Sequence, residues 1–155
     1  MFRSPEELIS MAIEIGRTQP CLDLPIAAVI ADSTGAVLSK SRNRVVLNGD
    51  VTAHAEILAI QGLGPLSDKS LAHEWTLAVT LEPCPMCAWA IRSAGIGAVI
   101  FGAYNNQYGA GGSVFDLLRD GRYGVEVEVI GGVLEKECSL LMNNAFREIR
   151  NNRER

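Results

Sequence analysis

The chain has 155 residues, of which 48% are hydrophobic and 21% are charged, and its formal net charge is −4. This balance is typical of one soluble globular domain over residues 1–155, and no apolar run approaches the ~20 residues that a membrane span requires. The excess of acids argues against indiscriminate nucleic-acid binding, which depends on many Lys and Arg contacts to phosphate, but it leaves room for a local basic patch. The acidic N-terminal segment does not resemble a signal peptide, so we expect a cytoplasmic protein.

The first predicted helix begins with a capping-box pattern. Ser4 provides the cap, Pro5 occupies the first turn and Glu7 closes the box. The apolar residues that follow recur at the spacing i, i+3, i+4 and i+7, which predicts one buried helical face. They are Leu8, Met11, Ala12 and Ile15.

Short apolar runs and amphipathic segments alternate through the rest of the chain. Strands are predicted for the runs 26–31, 37–41, 75–81, 96–102 and 125–130, the first two joined by the turn 32–35. Helices are predicted over 52–61 with Thr52 as N-cap, over 85–94, over 113–119, and from Leu134 onward. Loops are predicted over 43–50 and 104–112. Because the later strands alternate with helices, they should be parallel, and the fold class is α/β, a three-layer α/β/α sandwich with a central mixed five-stranded sheet.

Four cysteines occur, and we expect reduced thiols because nothing in the sequence indicates export. Cys21 and Cys138 are predicted to be small, at least partly buried apolar residues. Cys84 and Cys87 lie three residues apart in the first turn of a predicted helix, so they share one helix face and can bind one tetrahedral ion. A helix N-terminus also favours thiolate over thiol.

A second motif supplies the remaining groups of a catalytic zinc site. His54 opens another predicted helix and can be the third ligand if the two helix starts meet, which leaves a fourth position for water. Glu56 points about 200° away from His54 around the helix, so it is predicted to be a proton shuttle and not a ligand. A redox CxxC pair or a surface His–Glu pair would each explain one motif, but neither explains both. His73 is predicted to be an ordinary loop residue.

The joint pattern H-x-E and P-C-x-x-C is a signature of zinc nucleobase deaminases. The chain resembles the cytidine deaminase-like superfamily and, more closely, the bacterial tRNA-specific adenosine deaminases. The resemblance covers nearly the whole chain. It is carried by T-A-H-A-E-I-L-A-I, V-T-L-E-P-C-P-M-C-A, G-A-V-I-F-G-A, G-A-G-G-S and G-G-V-L-E-K-E-C.

The resemblance implies conversion of adenosine to inosine at the wobble position of a tRNA anticodon loop by a homodimer with one Zn²⁺ per subunit. It implies that His54, Cys84 and Cys87 bind the zinc, and that Glu56 shuttles protons while zinc-bound hydroxide attacks C6. Three further positions correspond to substrate-binding positions of the family. They are Asn43, the backbone of Ala55, and Asn105, which stands where an aspartate is common.

Several alternatives remain open from the residues alone. Tyr104 and Tyr108 are suited either to stacking on bases or to anchoring a glycine-rich loop. The arginines of the C-terminal segment 147–155 are suited either to phosphate contacts or to a solvated helix end. A small-molecule deaminase of the same fold, acting on guanine, cytosine or a free nucleoside, is the nearest rival function. A non-catalytic zinc-stabilised module is another, although a structural zinc site normally closes with a fourth protein ligand and needs no Glu56.

Overall fold

Five strands form one mixed sheet in the computed structural model, which describes residues 3–18, 22–66 and 70–155. They are β1 (Ala27–Ala31), β2 (Val37–Arg42), β3 (Thr76–Leu81), β4 (Ala98–Ala103) and β5 (Glu128–Ile130). Their spatial order is β2-β1-β3-β4-β5, with β1 antiparallel to both of its neighbours and β4 parallel to both of its own. The predicted mixed five-stranded sheet is confirmed, although β5 covers only the end of the predicted strand 125–130.

Helices cover both faces of this sheet. Within the described ranges they are α1 (Pro5–Gly16), α2 (Val45–Asn48), α3 (Ala55–Gln61), α4 (Pro85–Ala94) and α5 (Glu135–Arg153). Successive side chains of β3 point to opposite faces, so Leu77 and Val79 pack in the core under α3 and α4, whereas Ala78 packs in the core under α1 and α5. The predicted α/β/α sandwich is therefore confirmed. None of the described helices combines the length and the apolar character needed to cross a membrane.

The start of α1 follows the prediction closely. The backbone N–H of Glu7 donates to Ser4 Oγ at 3.2 Å, and the backbone N–H of Ser4 donates to the Glu7 carboxylate at 2.7 Å, which completes the capping box. The buried face differs in detail from the predicted one. Ile9 and Ile13 are buried, whereas the predicted Met11 and Ile15 are only partly buried at its margin.

The predicted N-cap of α3 is wrong by two residues. His54 occupies the cap position with extended backbone, and Thr52 instead donates its hydroxyl hydrogen to Asp50 Oδ1 at 2.7 Å. The predicted loop over 43–50 contains the one-turn helix α2, which ends at Gly49 in the left-handed conformation with φ of 60°. The shift of the N-cap places His54 at the start of α3 and not within its first turn.

The predicted short helix over 113–119 is absent. An isolated bridge joins Gly111 to Asp116, and the backbone N–H groups of Val114 and Phe115 both donate to the carbonyl of Gly109. The N–H of Ser113 donates to the carboxylate of Glu82. The segment is therefore held by turn bonds back to Gly109 and by a contact to a distant strand end, and these replace the successive bonds that a helix needs.

The long helix α5 packs directly on β4. Its Cys138 is fully buried, as predicted, whereas Cys21 lies outside the described residues. Gly102 of β4 permits this approach, because a Cβ built there would lie 2.2 Å from Cys138 Sγ. Burial raises the pKa of the Cys138 thiol to about 11, so this cysteine is an unreactive part of the core.

Candidate metal centre and active site

The starts of α3 and α4 meet on one side of the sheet and bring three metal-ligand atoms together. His54 and Cys84 are the N-cap residues of the two helices, and Cys87 lies in the first turn of α4. His54 Nδ1 is 3.7 Å from Cys84 Sγ and 3.5 Å from Cys87 Sγ. The three ligand atoms all lie within 4.8 Å of one another. Among the described residues, no other cluster of His, Cys, Asp and Glu has this arrangement.

These separations fit a tetrahedral zinc ion. Bonds of about 2.3 Å from zinc to sulfur and about 2.0–2.1 Å to nitrogen, at a tetrahedral angle, place sulfur and nitrogen about 3.6 Å apart. The two observed S···N separations lie on either side of this value. Three protein ligands leave one coordination position for water or substrate, which is the composition of a catalytic zinc site and not of a structural one.

The two thiols have opposite protonation behaviour in the protein without metal. A hydrogen bond from the Cys87 thiol, together with the neighbouring His54, lowers the pKa of Cys84 to about 4. The same hydrogen bond and burial raise the pKa of Cys87. The hydrogen bond with Cys84 also raises the pKa of His54. At neutral pH one thiolate is therefore already formed, and the other cysteine keeps its proton until a metal displaces it.

Glu56 lies beside this donor set in the first turn of α3. The residue is only 3% exposed, and it lies in the same helix turn as His54, close to the Cys84 and Cys87 thiols. Burial raises the pKa of the Glu56 carboxyl to about 7. A carboxyl group with such a pKa can accept a proton and release it again near neutral pH, as a general acid–base requires.

A cavity of about 790 Å³ opens in front of the candidate metal centre. It is lined by six of the seven residues predicted from the sequence to form the site: His54, Glu56, Cys84, Asn43, Ala55 and Asn105. The seventh, Cys87, is buried behind the other two metal-ligand residues. The cavity also reaches α5, where Met142, Phe146 and Arg153 form part of its wall.

Asn43 and Asn105 occupy different environments along this wall. Asn43 is only 8% exposed and follows β2, where its backbone N–H donates to the carbonyl of Ile26 at 2.9 Å. Asn105 uses its side-chain oxygen to organise its own loop, accepting from the backbone N–H groups of Gln107 at 3.2 Å and Tyr108 at 3.0 Å. The Asn105 side chain therefore shapes the loop, whatever contact it makes to a ligand.

The aromatic and basic residues for which the sequence leaves two roles open have different environments in the structure. The Tyr104 ring packs edge-on against Phe101 at a centroid distance of 5.2 Å, so it is an anchor as well as a cavity residue. Tyr108 is 61% exposed at the cavity. Of the C-terminal arginines, Arg153 lines the cavity, whereas Arg147 donates to Asn144 at 2.8 Å on the helix surface.

Two buried acids at the cavity were not found by sequence reasoning. The Asp23 carboxylate accepts hydrogen bonds from the backbone N–H groups of Val46 at 2.7 Å and Leu47 at 3.0 Å, and so holds α2 at the cavity. Glu82 accepts hydrogen bonds from the loop that follows β4. The sequence pattern that could have indicated them is an acidic residue between nonpolar neighbours, which is Leu-Asp-Leu for Asp23 and Leu-Glu-Pro for Glu82.

Zinc binding to the metal-free protein should release at least one proton per ion at pH 7.5, because Cys87 is protonated there and must become a thiolate. The affinity should fall as the pH is lowered, since protons then compete for the ligands. Calorimetry in two buffers of different ionisation enthalpy measures the number of protons released. A His73→Ala variant, altered outside the cluster, should give the same number. Binding without net proton release would contradict this assignment of charge.

Comparison with known proteins agrees with the geometry of the site. Residues 3–103 match the model of the cytidine and deoxycytidylate deaminase zinc-binding region. The tRNA-specific adenosine deaminase of Bacillus subtilis strain 168 is 36% identical over 128 residues, which are 83% of this chain and 79% of that protein. The tRNA(Ile)-lysidine synthase of Deinococcus radiodurans is 36% identical over 144 residues, 93% of this chain. The chain spans only 24% of that longer protein.

Solved structures show the same fold. A structure from work on A-to-I editing by tRNA:A34 deaminases at the wobble position of transfer RNA has a TM-score of 0.78 and 33% identity, covering 86% of this chain and 97% of that one. The guanine deaminase of Nitrosomonas europaea has a TM-score of 0.77 and 23% identity, covering 94% of this chain and 86% of that one, and shares the fold. From the family match and the tRNA-deaminase relatives together, the chain belongs to the zinc-binding cytidine and deoxycytidylate deaminase family, in the branch of the tRNA-specific adenosine deaminases.

Proposed function

We propose that this protein is a zinc-dependent hydrolase that converts adenosine to inosine at the wobble position of a tRNA anticodon. The observation that carries the proposal is the meeting of His54, Cys84 and Cys87 beside the buried carboxyl of Glu56 in one open cavity. The named tRNA-specific adenosine deaminases among its relatives support the choice of substrate. A tRNA-modifying enzyme would act in the cytoplasm.

His54, Cys84 and Cys87 would hold a zinc ion, which would supply the Lewis acidity that activates water near neutral pH. In this proposal Glu56 takes a proton from the attacking water and delivers it to N1 of the adenine ring. A bond forms between C6 and the water oxygen. Glu56 then passes the second proton of that water to the amino group, the C6–N bond breaks, and ammonia leaves with inosine as the other product.

Substrate orientation is assigned to three residues of the cavity wall. The Asn43 side chain has both donor and acceptor atoms and can pair with the edge of a purine ring. Ala55 lies between His54 and Glu56 and is proposed to contact the base through its backbone. Asn105 belongs to the opposite loop. An anticodon-loop base can be turned out of its stack at modest cost to reach such a pocket. Tyr108 and Arg153 line the cavity and are proposed to contact the neighbouring nucleotides.

An anticodon stem–loop with a wobble adenosine tests this function. It should be deaminated at that adenosine, whereas free guanine, cytosine, cytidine and adenosine should not be turned over. A matched stem–loop with adenosine at another loop position is the control for site selection. Turnover of free guanine alone would replace the tRNA assignment by the rival small-molecule deaminase, whose fold this chain shares.

Replacing Glu56 by Gln should lower kcat by about 10²–10⁴-fold, because the isosteric amide keeps the shape of the site but cannot shuttle a proton. Zinc content and thermal stability should stay close to those of the wild type. Glu14→Gln, which changes an exposed acid of α1, is the matched control and should keep full activity. A Glu56→Gln variant with wild-type turnover would exclude this mechanism.

We further propose that two copies of the chain form a homodimer through an apolar patch around α4. Trp89 and Tyr123 contact each other edge-on at a centroid distance of 5.4 Å, and both are half exposed. Val125 is 92% exposed and is held beside α4, because Arg92 Nη2 donates to its carbonyl at 3.1 Å. Met86 extends the patch along the same helix face. Large exposed apolar groups in one patch are typical of an interaction surface.

A Trp89→Glu substitution should convert the dimer to a monomer, because it places a charge at the centre of this patch. Sedimentation equilibrium of the wild type and the variant measures the change, and circular dichroism checks that the fold is kept. Phe146→Glu, which alters an exposed aromatic residue of α5, is the control and should stay dimeric. A Trp89→Glu variant that remains a dimer would place the interface elsewhere.

A further inference from the structure

The carboxylate of Glu82 is buried at the end of β3 and is the centre of a hydrogen-bond cluster. The residue is 1% exposed and lies two positions before Cys84. Its Oε1 accepts from the backbone N–H of Asn105 at 3.2 Å and from the hydroxyl of Ser113. Its Oε2 accepts from the backbone N–H groups of Gly111 at 3.0 Å and Ser113 at 3.1 Å. These four bonds compensate the desolvation of the carboxylate with neutral donors from one loop.

The loop is wrapped closely around this carboxylate. A Cβ built on Gly109 would lie 2.4 Å from Glu82 Oε2, so only glycine fits at that position. The backbone of the same strand end is also bound, because Glu82 N–H donates to the Ala103 carbonyl and Ala110 N–H donates to the Pro83 carbonyl, both at 2.8 Å. The strand end at Glu82 and Pro83 therefore fixes the loop by both side-chain and backbone contacts.

These contacts extend to the wall of the substrate cavity. Asn105, whose N–H is bound by Glu82, in turn accepts hydrogen bonds from the N–H groups of Gln107 and Tyr108. Residues 104–108 all line the cavity in front of the candidate metal centre. The conformation of this wall thus depends on a carboxylate that is almost fully buried and bonded to the backbone of the wall.

We propose that Glu82 is a positioning residue for substrate binding, which holds the cavity wall 104–108 in the conformation that receives the substrate. The inference rests on the proposed function for the identity of that substrate. It assigns to Glu82 no contact with the reacting atoms. The reacting side of the cavity is formed by α3 and α4, so disturbing the loop should weaken binding more than it slows the chemical step.

The hydrogen-bond pattern explains why a carboxylate is needed and predicts what a glutamine would do. A carboxylate offers two acceptor oxygens, whereas a glutamine amide offers one and carries two donors. An amide nitrogen at the Oε2 position would face two backbone N–H groups, those of Gly111 and Ser113. At the Oε1 position it would face only the N–H of Asn105, because the Ser113 hydroxyl can rotate to accept. Glu82→Gln should therefore break the hydrogen bond from the Asn105 N–H and keep those from the N–H groups of Gly111 and Ser113.

The experiment compares Glu82→Gln and Ser113→Ala with the wild type and with Glu14→Gln as control. Kinetics on the anticodon stem–loop, zinc content and amide hydrogen exchange are measured for each. We expect Glu82→Gln to raise KM roughly tenfold and to keep kcat within about threefold of the wild type. A tenfold change corresponds to the loss of one charge-assisted hydrogen bond. Exchange should accelerate at residues 105–108 but not within α4, and one zinc per chain should remain. Ser113→Ala keeps all three N–H bonds and should give a smaller change in the same direction.

Two results would overturn the inference. One is unchanged exchange at residues 105–108 in Glu82→Gln. The other is a loss of zinc or of kcat with KM unchanged, which would show that Glu82 serves the metal centre beside Cys84 and not the loop. If the wild type turns over free guanine and not the stem–loop, the proposed function fails, and the same comparison of KM and exchange made with guanine still decides the role of Glu82.

Discussion

The meeting of two helix starts at one point is the constraint on which the site depends. Neither helix carries a complete donor set, because α3 supplies the imidazole and α4 supplies the two thiols. The sheet order brings them together. After β2 and the one-turn α2, helix α3 packs across β1, and α4 follows β3, the neighbour of β1 on its other side. The tetrahedral spacing of His54, Cys84 and Cys87 is thus a consequence of strand order and of the small residues between the helices. Ala55, Ala59 and Ala88 are all fully buried there.

The same close approach sets the charges of the site. Two thiols, an imidazole and a carboxyl lie together in a largely buried place. The hydrogen bond between the two thiols lowers the pKa of Cys84 and raises that of Cys87, and burial raises the pKa of Glu56. A metal ion held there would keep both cysteines as thiolates. The proposed proton-shuttle role of Glu56 follows from its position, since its carboxyl is buried beside the ligands and faces the cavity.

Local patterns predicted most of the elements and the donor set, and failed where a carboxylate outside the helical pattern binds backbone N–H or hydroxyl groups. The His54–Glu56 and Cys84–Cys87 spacings are local, and the alternation of apolar runs was enough to predict the layers. The predicted helix over 113–119 is wrong because the N–H groups of Gly111 and Ser113 are bound by Glu82, about thirty residues earlier in the chain. Thr52 is not the N-cap because Asp50 binds its hydroxyl. The helical periodicity of a sequence does not show that either of these carboxylates will bind the groups that a helix or its cap would use.

Buried carboxylates also explain how an open cavity keeps a defined shape. Its reacting side is built on α3 and α4, which are held by the core, but much of the remaining wall consists of loop and one-turn helix. Asp23 and Glu82 hold these parts by accepting backbone N–H groups, Asp23 from α2 and Glu82 from the loop after β4. A bond to backbone is independent of the side chains that the loop presents to the cavity. The side chains that face the cavity can therefore be replaced while the wall keeps its course, because the bonds that hold it are made by the backbone.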